Sequence, residues 1–214
     1  MPRSLHGVYR AFATESYLIV AAFDVEIPDI PKSRLVKRIV NAGFGAAVAE
    51  ACVVKMHDCW ARFCRDVVLL SATGGTVTTS GRVLTPPRSG VKNISQALAF
   101  IASNWGRKPS FGEPRWGDQN ECLKAAQILG VANYATISAA IGSTPSPADY
   151  LRLTRNYVAH RNHRTAAHLV TVATAVGCPH RAPSSILRWV QPGTGATFDS
   201  WQAQLDIIAQ ATVA

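Results

Sequence analysis

Few carboxylates occur in this chain. Only 13 Asp+Glu stand against 22 Lys+Arg among 214 residues, so the formal net charge is +9 although charged residues make up just 16 %. A surplus of that sign selects a polyanionic partner, RNA or DNA first, with an acidic protein or a membrane surface as the other options. No C-x-x-C pair occurs among the cysteines Cys52, Cys59, Cys64, Cys122 and Cys178. An odd set without metal or redox spacing, three of its members on one apolar stretch, fits free thiols in a reducing cytoplasm. No window reaches the ~18–20 uncharged apolar residues of a membrane helix, and residues 17–23 form an apolar run too short and too wrongly flanked for a signal peptide. The patterns G-x-x-x-x-G-K-S/T, G-x-G-x-x-G after a strand and G-x-S-x-G are all missing, which removes the signatures of nucleotide hydrolysis, dinucleotide redox chemistry and an esterase elbow. There is no internal repeat and no heptad run, and the most basic helix is too long and apolar to serve well in a helix-turn-helix.

The most informative stretch that is present runs from 146 to 177, SPADYLRLTRNYVAHRNHRTAAHLVTVATAVG. Ser146 suits a cap, Pro147 the first helical position and Asp149 the acid of a capping box, while Gly177 and Pro179 supply a stop. The simplest expectation is one long helix, with residues 162–165 as the place where it breaks if it breaks. Inside it lies Arg155-Asn156-Tyr157-Val158-Ala159-His160. An imidazole that titrates near neutrality, a permanently charged guanidinium and an orienting amide together suffice to cleave a phosphodiester without metal. At about 100° per residue, Asn156 and His160 share a helix face, so the amide can hold one ring nitrogen and leave the other free. Arg155 lies roughly 140° round from His160. It therefore reaches that ring by swinging its side chain, or serves the histidine of a second copy, which points to a dimer.

The hexapeptide resembles the R-N-x-x-x-H form of the motif of the HEPN superfamily. An earlier aromatic-rich stretch, Lys55-Met56-His57-Asp58-Cys59-Trp60-Ala61-Arg62-Phe63-Cys64-Arg65, is similar to the core helix that precedes the motif in RiboL-PSP-type HEPN proteins. The resemblance covers roughly residues 10–175 in pattern. It implies an all-α, HEPN-like helical bundle, with additional short helices and a Gly/Pro-rich central insertion, that pairs through its motif helix. It also implies a metal-independent endoribonuclease in which a 2′-hydroxyl attacks the scissile phosphate. In that scheme Arg155 binds the phosphate, His160 is the general acid or base, Asn156 orients it, and Arg152, Arg161 and Arg164 steer the RNA backbone. No metal or cofactor is called for. The partners implied are RNA, a second copy and a cognate antitoxin, as befits a toxin or phage-defence effector. A non-catalytic module binding RNA, a nucleotide or a protein on the same fold is the alternative.

Along the rest of the chain a single domain over 1–214 is expected, with a loop-rich insertion at 71–117 and an extension at 178–214. Helices are predicted over 4–23, from 33 through a glycine bend at Gly43 and Gly45 to about Leu70, and over 93–104, 118–129, 133–141 and 198–211; residues 24–31 read as a connection. Asp58 and Arg62 stand i,i+4 apart as a surface ion pair, and His57, Asp58 or Arg65 are subsidiary candidates for the cleft. Residues 76–79 and 82–85 read either as a small hairpin or as a mobile loop. Between Trp105 and Trp116 cations alternate with aromatics, either to stack unpaired bases or to anchor the loop in the core. His160 and His163 have an i,i+3 spacing compatible with a metal, but no carboxylate falls at a matching offset except Asp149, three turns away.

Overall fold

Apolar residues every three or four positions from Val48 to Leu70 dictate a long helix, and the longest in the chain forms there. The computed structural model describes residues 4–24, 34–85, 87, 89–106, 112–142, 146–190 and 195–214, with side chains from residue 43 onward in the second helix. Among these residues lie α1 (Leu5–Phe23), α2 (Arg34–Ala72), α3 (Ile94–Asn104), α4 (Gln119–Leu129), α5 (Tyr134–Ile141), α6 (Pro147–His160), α7 (His163–Ala175), α8 (Pro183–Leu187) and α9 (Thr197–Val213). β-structure among the described residues is limited to the isolated bridges Ser4–Val77, Val77–Val83 and Val190–Ala196, so the fold is all-α. None of its described helices is long and apolar enough to cross a membrane. Most of the expected connection 24–31 falls outside the described residues.

Local chemistry sets most of these boundaries. Gly43 and Gly45 do not end α2, which runs 39 residues. Asn93 Oδ1 accepts the Gln96 N–H at 2.9 Å and starts α3. Asp118 caps α4 through the N–H groups of Asn120 and Glu121, and Gly130, at φ 65°, closes it with N–H bonds to Ala126 and Gln127 carbonyls. A side chain at such a φ would be strained, so glycine suits that stop. Pro183 opens α8, a five-residue helix too short and too flanked by proline to announce itself by periodicity.

Backbone contacts divide the chain into two compact units, each discontinuous in sequence. The first comprises residues 1–14, 58–149 and 205–214. Its centre is aromatic: Phe12 of α1 lies 5.1 Å from Phe63 and 5.7 Å from Trp60 of α2, and the two α2 rings stack at 5.4 Å. Residues 76–84 are ordered as the small hairpin, with Leu84 N–H donating to Thr76 O at 2.8 Å and Thr78 N–H to Arg82 O at 2.9 Å. The insertion is thus built onto this unit. Thr79 N–H reaches Val213 O at 2.9 Å, and Asn133 Nδ2 donates to Ser71 Oγ in a buried bond of 3.1 Å. Cys64 and Cys122 share a hydrogen bond, and burial pushes the Cys64 thiol well up. All five cysteines are free and buried.

The second unit comprises residues 15–57 and 150–204. Phe23 packs on Phe198 at 4.8 Å with the Arg188 guanidinium over its ring at 4.6 Å, and Gln202 Nε2 donates to Ser16 Oγ in a buried bond of 3.2 Å. Leu151 and Thr154 of α6, Leu169 and Val172 of α7, and Met56 of α2 are fully buried here.

Because Phe12 is only 3 % exposed and touches two large rings, its truncation leaves a cavity the neighbours cannot fill. Phe12→Ala is expected to cost about 3–5 kcal/mol in urea unfolding followed by tryptophan fluorescence, whereas Ile207→Ala, at an exposed position, should stay within about 0.5 kcal/mol of the parent.

Candidate functional site

The expectation of one helix from 146 to 177 is corrected. The start is as read, since Ser146 Oγ accepts the Ala148 N–H at 3.2 Å and Pro147 takes the first helical position. The helix then ends at His160. Asn162 Oδ1 accepts the Thr165 N–H at 3.0 Å and Thr165 Oγ1 accepts the Asn162 N–H at 3.1 Å, a reciprocal cap that starts α7. Such a cap satisfies two orphan donors at once. It outcompetes continuation of the helix, and Arg161 between the two helices adopts φ 40°.

The motif therefore occupies the final turns of α6. Leu151 and Thr154 form the buried stripe, and Arg152 and Arg155 flank it, both half-buried. Arg155 Nε is buried and has no hydrogen-bond partner among the described residues. An N–H left that way costs about 1–3 kcal/mol unless something outside the chain accepts from it. Asn156 is half-buried and His160, the last residue of the helix, is exposed. Asn156 and His160 lie on one flank, four residues apart, while Arg155 falls about 140° from His160 around the axis. Within one copy the helix thus sets the guanidinium and the imidazole on different flanks.

The three steering arginines part company. Arg161 gives its guanidinium to Glu50 of α2 at 2.5 Å. Arg164 is exposed in the first turn of α7, where a cation opposes the helix dipole by about 0.3–1 kcal/mol. Arg152 stays beside Arg155, one turn before it. The partnership of Arg161 with Glu50 was not legible in the sequence, because 111 residues separate the two and neither stands in a recognisable pattern.

Other candidates find structural employment. The break after His160 puts His163 at the start of a second helix, so the i,i+3 spacing counted along one helix no longer applies. Among the described residues no group of three His, Cys, Asp or Glu side chains is placed to hold a metal. Arg65 donates to both Glu113 oxygens at 2.9 and 3.3 Å, and the Trp116 indole N–H adds a bond to Glu113 at 3.0 Å. Arg62 Nε donates to the Asp58 carbonyl at 3.4 Å. In the aromatic and basic loop, Trp116 is buried, Arg115 Nε donates to Glu121 at 2.6 Å, and the Lys124 ammonium sits 4.5 Å over Trp105. These tryptophans anchor the loop; residues 107–111, with Arg107, Lys108 and Phe111, lie outside the described residues.

Comparison with protein-family models, with curated proteins and with solved structures finds no match for this chain. The geometry of α6 and its surroundings is what a functional reading rests on.

Two outcomes follow. Asn162→Ala removes the cap of α7 and is expected to cost about 1 kcal/mol by denaturant titration. The hydrogen bonds from Arg65 hold the Glu113 carboxyl below its ordinary value. Its stabilisation is therefore fully present above the ordinary glutamate pKa of about 4.3 and is lost as pH falls through the lower folded value. In thermal melts from neutral to strongly acid pH, Glu113→Gln should melt below the parent at neutrality, and the gap should close on the acid side.

Proposed function

We propose that the chain is a metal-independent endoribonuclease of the HEPN type, active as a homodimer whose two motif helices line one cleft. The observation that carries this reading is the state of the hexapeptide: it ends α6 on an exposed imidazole while Arg155 Nε is buried and without a hydrogen-bond partner among the described residues. A scissile phosphate supplies the acceptor that Nε lacks. Pairing two copies supplies the second imidazole that the 140° offset denies to a single one.

In this mechanism His160 moves a proton to or from the 2′-hydroxyl or the leaving 5′-oxygen, and Asn156, one turn earlier on the same flank, holds the ring in one orientation. The Arg155 guanidinium neutralises charge growing on the phosphorane. Arg152 and Arg164 guide the backbone. Arg161, shared with Glu50, serves chiefly to hold the bend between the helices. The chain's +9 charge favours capture of a polyanion. Five reduced thiols suit the cytoplasm, and because unrestrained RNA cleavage harms a host, the reading carries with it a cognate antitoxin and a toxin or phage-defence role.

The test is incubation with RNA in EDTA. Cleavage to 2′,3′-cyclic phosphate and 5′-hydroxyl ends is expected, with His160→Ala and Arg155→Ala each slowing it about a hundred- to ten-thousand-fold. Cleavage that survives His160→Ala, or that needs added metal, removes the assigned roles. RNA retained intact in a salt-sensitive manner supports the non-catalytic binding module instead.

A further inference from the structure

Away from its buried stripe, α6 carries two parallel rows of side chains. Each row steps by four residues, which advances about 6 Å along the axis. Arg152, Asn156 and His160 form a polar row, and Leu153 and Tyr157 form an apolar row beside it. Asn156, Leu153 and Tyr157 are half-buried and His160 is exposed, so both rows keep surface in solvent. Tyr157 stands three residues before His160 and about 60° round from it, the spacing at which neighbours on a helix surface meet, with Cβ atoms about 5–6 Å apart. Two other tyrosines are engaged by their own chain. The Tyr9 hydroxyl donates to Asp206 at 3.1 Å and accepts from Gln210 at 2.9 Å, and the Tyr150 ring lies 6.0 Å from Trp201. Tyr157 has neither an aromatic partner for its ring nor a hydrogen bond to its hydroxyl among the described residues.

We propose that Tyr157 is the platform on which an unpaired base stacks, and that the RNA taken by the motif face is therefore single-stranded. The inference rests on RNA as the occupant of that face. An RNA strand has two edges of different chemistry, phosphates and 2′-hydroxyls on one and flat bases on the other. The polar row meets the first edge, with His160 at its end, and the apolar row meets the second. A base next to the phosphate at Arg155 and His160 lies within reach of the ring one turn back. In a duplex each base already stacks on its neighbours and is held by its pair, so no π-face is left for Tyr157 to cover; in a single strand the base is free to leave its neighbours and stack on the aromatic ring. Since every base has a π-face, the ring selects unpaired over paired RNA without selecting a letter. Leu153 continues the same apolar row by one further turn.

Fluorescence anisotropy in EDTA tests it, with full-length His160→Ala as the background so that the RNA stays intact. Three labelled probes of equal length are compared: a short RNA of mixed sequence that does not self-pair, the same strand annealed to its complement, and an abasic ribose-phosphate oligomer. The single strand is expected to bind more tightly than either of the others. Adding Tyr157→Leu, checked as folded by circular dichroism, should weaken the single strand about five- to a hundred-fold and leave the duplex and the abasic oligomer unchanged. Tyr157→Phe, which keeps the ring, should retain the single strand. Equal affinity for single strand and duplex overturns the proposal, as does a Tyr157→Leu variant that loses nothing or loses as much on the abasic oligomer, the mark of a residue that merely packs. The comparison of base-bearing with abasic strand needs no change at Tyr157, so it decides the matter even where leucine there unfolds the chain. Because the background lacks the imidazole, failure of the parent to cleave RNA counts against the nuclease reading and leaves this readout intact, whereas cleavage by the parent without any dependence on the ring counts against this inference alone.

Discussion

Burial of the α2 stripe is the constraint on which the rest depends. Ala49, Val53, Met56, Trp60, Phe63, Val67 and Leu69 lie almost wholly out of water, and each large apolar side chain so placed contributes about 1.5–3 kcal/mol. A helix of 39 residues with so continuous an apolar face gains nothing from isolation and demands cover along its length. The residues up to His57 are covered within one unit and those from Asp58 onward within the other. What remains exposed on α2, from Phe44 to Lys55, is the part whose cover the chain does not itself provide among the described residues.

Scarcity of acids shapes the electrostatics as strongly as apolar burial shapes the core. Several of the 13 Asp+Glu are committed within the chain: Glu50 to Arg161, Glu113 to Arg65, Glu121 to Arg115, Asp118 to a helix start and Asp206 to the Tyr9 hydroxyl at 3.1 Å. Ion pairs at this degree of exposure are worth about 1 kcal/mol at most, so their effect on stability is small. Arg152 and Arg155 flank the buried stripe of α6, and Arg164 points into solvent.

Much of the fold was legible in the sequence because it is encoded locally. Asn93, Asp118 and Gly130 announce helix ends by their own hydrogen-bonding and backbone preferences, and the periodicity of α2 survives two glycines. The limit of legibility is well illustrated by 146–177. The end signals at Ser146–Pro147 and Gly177–Pro179 bound the whole stretch and so favour one helix, whereas residues 160–165 carry no apolar side chain and the N-x-x-T cap at Asn162 and Thr165 falls where a break was already marked. α8 was missed for want of length, and the Glu50–Arg161 pair because long-range charge pairing leaves no trace in spacing. The motif positions were found from the chemistry of their side chains; the offset between Arg155 and His160 follows from helical geometry, while the unsatisfied Nε is a property of packing that no string of letters displays.

Arg161 holds a left-handed backbone, a conformation that costs an L-residue with a side chain about 1–2 kcal/mol and that glycine adopts freely. An arginine there earns its place through its reach: anchored on Glu50, it acts as a strut that fixes the direction in which α6 stops. The imidazole one residue earlier inherits its outlook from that strut, so the aim of His160 is governed in part by a carboxylate on a different helix, more than a hundred residues away along the chain, with which it makes no bond of its own.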